Sequence, residues 1–227
     1  MKTIIIIPYR NREKHLSYFL ENSIPKLNSI IPNLEVIIVE QTEGKKFNRG
    51  ATINIGYDYY KNTDFYYITQ DVDVNPIIKE AVDFYGSEIE DNHFLGIYSD
   101  GETLGGVVKF KGSTFHKING FPNNYWGWGL EDKNLMNRAI YNKINIDIFM
   151  LSNNKNKDIY FKIFDNINDR EPVNNKKLRE LNYKKFKNMN EQDRYNYVIS
   201  SGLNNIEYKI IYEKNVNYYI KKIKVDI

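Results

Sequence analysis

The sequence predicts an α/β fold with a mostly parallel central sheet flanked by helices. Two patterns carry that prediction: short unbroken apolar runs of strand length, and intervening segments whose apolar residues recur at helical spacing. A strand covered by helices on both faces reads as a continuous hydrophobic run, and Thr3 to Ile7 reads so before it stops at Pro8. Leu16, Phe19 and Leu20 mark a helix expected to end near Pro25, because proline lacks an N–H and clashes with the preceding turn. Leu34 to Val39 is a second buried strand. Ile53, Tyr57 and Tyr60 share one face of a second helix, and Phe65 to Thr69 is a third strand. Phe94 to Tyr98 and Gly106 to Phe110 read as further strands. Leu135, Met136, Ala139 and Ile140 place a helix behind Glu131, and Ile144 to Met150 follows as a strand. From Asn153 to about Tyr195 the chain is polar and Asn-rich with weak periodicity, which predicts loops and short helices. Ile206 to Tyr212 and Tyr218 to Ile227 alternate in part and predict a closing β-hairpin.

At 227 residues, 41% hydrophobic and 27% charged, the chain can build one substantial core and is too apolar to be disordered. A net charge of +3 with interspersed Lys and Glu gives no reason to expect nucleic acid as a partner. The absence of cysteine excludes disulfides, a thiol nucleophile and thiolate metal sites. Met1 to Ile7 is too short for a signal-peptide core, and no stretch is long enough for a membrane span. The expected location is the cytoplasm. His15, His93 and His116 are scattered without metal-ligand spacing and read as ordinary helix or loop residues. Neither a P-loop, nor a Gly-x-Gly-x-x-Gly, nor a nucleophile elbow is present.

Three places carry chemistry. Arg10 and Arg12 follow the first strand, at the edge where open α/β sheets bind ligands. Either they clamp a phosphate or a uracil edge, or they are solvated loop charges. Asp71 and Asp73 follow the third strand. Residues two apart in an extended segment point the same way, so the two carboxylates are expected to face one point. Oxygen donors of that kind suit Mg²⁺ or Mn²⁺ shared with phosphate. The third place is Gly120-Phe-Pro-Asn-Asn-Tyr-Trp-Gly-Trp-Gly-Leu-Glu-Asp-Lys-Asn134, which holds both tryptophans, Trp126 and Trp128. Indole rings between glycines suit stacking on a sugar, and Glu131 and Asp132 stand at a helix start. The plainer alternative is that Asp132 caps the helix and the tryptophans are core. Their concentration in so short a segment favours a site.

Taken in order, these blocks resemble the β-1,4-galactosyltransferase family (glycosyltransferase family 7), whose fold is the nucleotide-sugar-binding GT-A type. Ile7-Pro-Tyr-Arg-Asn-Arg-Glu-Lys-His-Leu16 is similar to its first-strand motif, and Phe47-Asn-Arg-Gly-Ala-Thr-Ile-Asn-Ile-Gly-Tyr57 to its Phe-Asn-Arg block. Asp71-Val-Asp73 matches its metal motif. Gly105-Gly106-Val107, Asn119 to Gly129 and Glu131-Asp132 match its acceptor-side segment, and Ser201-Gly-Leu-Asn-Asn205 its C-terminal end. The resemblance implies a single GT-A-like domain over 1–227, with about 1–110 binding the nucleotide sugar and about 111–227 forming the acceptor-side and C-terminal part.

The resemblance further implies an inverting transferase that moves galactose or N-acetylgalactosamine from its UDP-sugar to a glycan or glycoconjugate hydroxyl. Pro8, Tyr9, Arg10, Arg12, Phe47 and Arg49 would hold the uridine diphosphate, and Asp71, Val72 and Gly106 would complete the donor site. Trp128 would line the donor–acceptor junction, Glu131 would grip the sugar, and Asp132 would be the catalytic base, a role for which an ordinary carboxylate pKa suffices. Asp73 would ligate Mn²⁺ (or Mg²⁺). The chain departs from the family where Lys133-Asn134 follows the acidic pair. It departs again in having no histidine after His116 for the distal metal position, where Asp165 is the nearest substitute and Lys162 a cationic alternative. The membrane anchor and cysteines of eukaryotic members are missing, which suits a compact bacterial or viral type. Thr103 stands where the family carries an aromatic residue beside the donor sugar, so N-acetylgalactosamine is expected to fit. The competing reading is a carbohydrate- or nucleotide-binding protein on the same fold with weak catalysis.

Overall fold

The computed structural model describes residues 1–127, 129–149, 157–164, 180–181, 183–184 and 186–227. The isoleucine run becomes β1 (Thr3–Tyr9), buried at every position. Its residues serve two cores in alternation. Ile5 and Ile7 join one apolar cluster and Ile4 and Ile6 the other, on the two faces of the sheet. That double burial is why the strand reads as unbroken apolar sequence. Each isoleucine so placed contributes about 1.5–3 kcal/mol relative to exposure.

Helix α1 (Glu13–Tyr18) does not stop at Pro25. It passes through a π-helical turn, Phe19–Ser23, into α2 (Ile24–Ile30), with Pro25 at the start of that second segment. The wider turn resets the hydrogen-bond ladder, so proline's missing N–H falls in a first turn, where it costs little. Strand β2 (Leu34–Gln41) lies parallel to β1 from Thr3↔Leu34 to Tyr9↔Glu40. Helix α3 (Arg49–Tyr60) is buried from Gly50 to Tyr57, and a Cβ on Gly56 would stand 2.5 Å from Ile6 Cγ2, so helix and strand touch closely there.

Next come β3 (Tyr66–Gln70), β4 (Val74–Pro76), α4 (Lys79–Gly86), β5 (His93–Tyr98), β6 (Val107–Lys111), α5 (Gly112–Lys117), α6 (Glu131–Tyr141) and β7 (Asn145–Ile148). After them lie β8 (Phe161–Ile163), α7 (Glu191–Ile199), β9 (Lys209–Asn215) and β10 (Ile220–Asp226). Eight strands form one sheet in the order β7-β5-β6-β3-β1-β2-β10-β9, and β4 pairs with β8 in a small second sheet. The middle of the large sheet is parallel: β3, β1, β2 and β10 run together. Strand β6 runs antiparallel to both β3 and β5, and β9 antiparallel to β10. The expected C-terminal hairpin is therefore present, and its second strand inserts beside β2. Of the other expectations, Trp128, Asp165, Met150 and about half of the polar stretch before Tyr195 lie outside the described residues.

Candidate active site

The site is built where α3 starts and β3 ends. Asn48 caps α3, its Oδ1 accepting the Ala51 N–H at 2.9 Å, while its own N–H donates to Gln41 Oε1 at 2.7 Å. That cap makes Arg49 the first helical residue and aims it across the sheet edge. Its Nε donates to Asp71 Oδ1 at 2.7 Å and its Nη1 to Asp132 Oδ1 at 2.6 Å, with the guanidinium 5.6 Å from the centre of the Phe121 ring. Glu131 is only 5% exposed. Two buried polar atoms here, Arg49 Nη2 and Glu131 Oε2, have no hydrogen-bond partner among the described residues.

One cation thus faces three carboxylates. Burial, then the charges of Glu131, Asp71 and Asp100, push Asp132 well above the ordinary carboxylate range, although Arg49 pulls it down. Glu131 is raised as well, by burial and by Asp71 against the pull of Arg49. Burial disfavours the Arg49 charge, but Asp132, Asp71 and Glu131 outweigh it and hold the guanidinium protonated.

Asp132 is not a helix cap. The residue before α6 is Leu130, at φ 78°, and no side chain caps that end. Asp132 instead sits in a seat made by Gly105. A Cβ on Gly105 would strike Asp132 Oδ2 and lie 2.8 Å from its Cγ. The backbone completes the seat: Leu104 N–H donates to the Asp132 carbonyl at 3.2 Å, and Ser99 Oγ to the Gly105 carbonyl at 2.8 Å. Gly106, at φ +71°, turns the chain so that its carbonyl accepts the Asp71 N–H at 3.0 Å. Only Gly105 fits under the carboxylate, and the sequence alone offered no sign of that close approach.

The two aspartates of Asp71-Val-Asp73 do not share an extended segment. Strand β3 ends at Gln70, and the Val74 N–H returns to the Asp71 carbonyl at 3.1 Å, closing a turn. Asp71 consequently turns to Arg49. Asp73 has a carboxyl raised to about 6 by burial and by Asp71, with Arg12 and His15 pulling it down. Val72 and Tyr9 are buried in the core, and Pro8, between Tyr9 and the rest of β1 in sequence, is buried as well. Arg10 donates to the Lys45 carbonyl at 2.7 Å and lies 5.3 Å from the Phe47 ring, a half-buried pair at the rim. The Gly127 N–H donates to the Phe47 carbonyl at 2.7 Å, which sets Trp126 beside that rim.

Strand β8 brings the late segment to the same edge. The Phe164 N–H donates to the Asp73 carbonyl at 3.0 Å, and His15 Nε2 stands 3.1 Å from the Phe164 carbonyl. Asp165 is therefore the next residue after one bonded to Asp73. Lys162 Nζ lies 5.0 Å from the Tyr18 ring and 4.8 Å from the Phe164 ring. Among the described residues no group of three His, Cys, Asp or Glu side chains could hold a metal alone.

Comparison with known proteins gives this geometry a context. A model of the N-terminal region of glycosyl transferase group 7 matches residues 1–86, and a model of a galactosyltransferase domain matches residues 90–163. Human β-1,4-galactosyltransferase 4 is 38% identical over 154 residues, which cover 64% of this chain and 44% of that protein. A β-N-acetyl-D-glucosaminide β-1,4-N-acetylglucosaminyl-transferase from Lymnaea stagnalis is 38% identical over 153 residues, covering 63% of this chain and 31% of that protein. The matches therefore span less than half of these relatives. The crystal structure of a point mutant of Drosophila β-1,4-galactosyltransferase 7, in complex with manganese, UDP-Gal and xylobiose, shares the fold. Its TM-score is 0.78 at 20% identity, covering 100% of this chain and 94% of that one. With both family models matching in order along a GT-A fold, the chain belongs to glycosyltransferase family 7, the β-1,4-galactosyltransferase family.

Proposed function

We propose that this chain is an inverting glycosyltransferase that moves galactose or N-acetylgalactosamine from a UDP-sugar to a hydroxyl of a glycan or glycoconjugate. The observation that carries the reading is the seat of Asp132: a carboxylate pressed against Gly105, held by Arg49, and flanked by two buried polar atoms without partners. Unpaired buried donors and acceptors cost about 1–3 kcal/mol each, so a ligand that satisfies them is favoured. A pyranose hydroxyl offers both a donor for Glu131 and an acceptor for Arg49.

Asp132 accepts the proton of the acceptor hydroxyl while that oxygen forms a bond to the anomeric carbon. The bond from that carbon to the diphosphate oxygen breaks on the opposite face, and UDP leaves with the electron pair. A positioned base contributes ~10²–10⁴-fold, most when its pKa lies near the working pH, and the raised pKa of Asp132 moves it that way. Arg49 keeps the carboxylate oriented, and the Arg10–Phe47 pair presents a flat cationic surface to the nucleotide.

The residues fit a divalent cation. Asp73 is a desolvated oxygen donor beside a second carboxylate, and a cation there relieves both burial and repulsion. Asp73 would hold it, with Asp165 following Phe164 as the candidate second ligand. When bound it supplies positive charge to the leaving diphosphate. An acidic second ligand in place of histidine favours Mg²⁺ more than the histidine-bearing relatives do.

The Lymnaea relative is named for transfer of an N-acetylated sugar, and Thr103 is smaller than an aromatic residue, its N–H and hydroxyl turned to Asp100 Oδ1 at 2.7 and 3.0 Å. Both features support a donor with a 2-acetamido group. We place the protein in the cytoplasm, as the sequence reading suggests, and cell fractionation tests that. Among the described residues no helix is long and apolar enough to cross a membrane. Calorimetry with UDP, with and without Mn²⁺ or Mg²⁺, followed by a UDP-release assay with UDP-Gal and UDP-GalNAc across an acceptor panel, tests the function. Failure to bind UDP under any cation would overturn it, and full turnover in excess chelator would overturn the metal assignment.

A further inference from the structure

Arg138 lies on α6, the helix that begins with Glu131 and Asp132, and it is 0% exposed. Among the described residues no carboxylate pairs with it. Its N–H groups go to backbone carbonyls instead. Nε donates to Val198 at 2.8 Å, Nη1 to Asn119 and Gly120 at 2.7 Å each, and Nη2 to Val198 and Ser201. All five donors of the guanidinium are used.

The bonds join three segments: α6, the start of the loop that leads to the tryptophans, and the end of α7 with the turn that follows it. More bonds reinforce the join. Asn123 Nδ2 donates to the Gly202 carbonyl at 2.7 Å, and the Leu203 N–H to the Asn119 carbonyl at 3.1 Å. On the loop's other side, Asn54 Nδ2 donates to Asn123 Oδ1 at 2.7 Å and Asn48 Nδ2 to the Asn123 carbonyl at 2.7 Å. The loop is thus clamped between the cap of the helix that presents Arg49 and the 198–205 turn. That turn lies beyond the matched family models, which end at residue 163.

We infer that Arg138 is a positioning residue for the transfer site: by gripping Val198–Ser201 and Asn119–Gly120 together, it fixes the loop that carries Trp126 and leads into Glu131 and Asp132. The turn after α7 is then part of the active-site frame. The consequence for transfer rests on the function proposed above, whereas the loop geometry does not.

Arg138→Lys tests this, since an ammonium has three donors and cannot span the same carbonyls in one plane. Trp126 and Trp128 are the chain's two tryptophans, so tryptophan fluorescence reads this loop alone. The expected result is unchanged far-UV circular dichroism and UDP affinity, but red-shifted emission and stronger acrylamide quenching. kcat should fall more than KM for donor changes, by up to about 10²-fold, the cost of a misplacement near 1 Å. Asn123→Ala, which cuts the same clamp and leaves Arg138 in place, should give the same fluorescence signature more weakly. Unchanged quenching in folded Arg138→Lys overturns the inference. If that variant does not fold, unchanged quenching in Asn123→Ala overturns it. Lack of UDP binding by the unsubstituted chain would instead sink the transferase reading and leave the fluorescence result standing.

Discussion

Two buried arginines of this chain are used in opposite ways. Among the described residues Arg49 meets three carboxylates and keeps one nitrogen without a partner, whereas Arg138 meets no carboxylate and spends every N–H on the backbone. The first arrangement leaves charge unbalanced and polar atoms unpaired, which a substrate can correct. The second is closed, with nothing left for a ligand to do. The contrast teaches that burial of an arginine says little about its role; what its donors leave unsatisfied says more.

The contrast is broken most severely at the base. Asp132→Asn should lower transfer by about 10²-fold or more while UDP binding persists. It should also raise the melting temperature at neutral pH. A carboxyl whose folded pKa is raised binds protons more tightly in the native state, so its contribution to stability is lost as pH climbs through that folded pKa, and an uncharged amide avoids the loss. Near-normal turnover in this variant would remove Asp132 from the mechanism. The same titration predicts that kcat/KM rises with pH along an acid limb lying above the usual carboxylate range.

Next in size is the matched pair Arg49→Met and Arg138→Met. The first should abolish transfer with a modest change in stability, because its carboxylates can take up protons. The second should cost about 3–5 kcal/mol by taking the guanidinium donors away from four buried carbonyls, read by chemical denaturation. Equal stability losses in the two would erase the distinction. Gly105→Ala should follow, with kcat down about 10-fold or more and the fold intact, since the nearest atoms its Cβ would meet all belong to the Asp132 side chain. The smallest expected effect concerns the donor. Restoring bulk by Thr103→Tyr should shift the UDP-Gal to UDP-GalNAc preference by about 10–200-fold, the range open to a single steric contact.

Much of the sheet was legible because its middle strands are buried on both faces, a condition that writes itself into sequence as unbroken Ile and Val. The turn at Asp71–Val74 was not legible, since Asp-Val-Asp fits an extended strand end equally well and the choice is made by the Gly106 carbonyl, far along the chain. The π-helical turn before Pro25 was hidden for a similar reason: nothing in Phe19–Ser23 announces a shifted ladder. Helix α4 was missed although Ala81, Val82 and Tyr85 are its buried residues, because eight residues give little periodicity to read. Asp132, Glu131 and Arg49, which the fold brings together, were singled out through motif, but the pressure of Gly105 on Asp132 and the carbonyl cage of Arg138 depend on contacts between distant segments. A lone arginine amid helix-forming residues looks like a solvated charge until those contacts are seen.

The place of β10 in the sheet bears on how the chain comes to be folded in the cell. Strand β2 is completed at Gln41, yet one of its two neighbours is β10, which begins at Ile220. At ~5–20 residues per second of synthesis, β2 waits on the order of 10–40 s for that neighbour. During the wait an apolar strand edge faces the ribosome exit and any other nascent chain. The N-terminal half of the sheet is thus made first and finished last, and agents that shield exposed strand edges during translation are expected to raise the yield of folded protein.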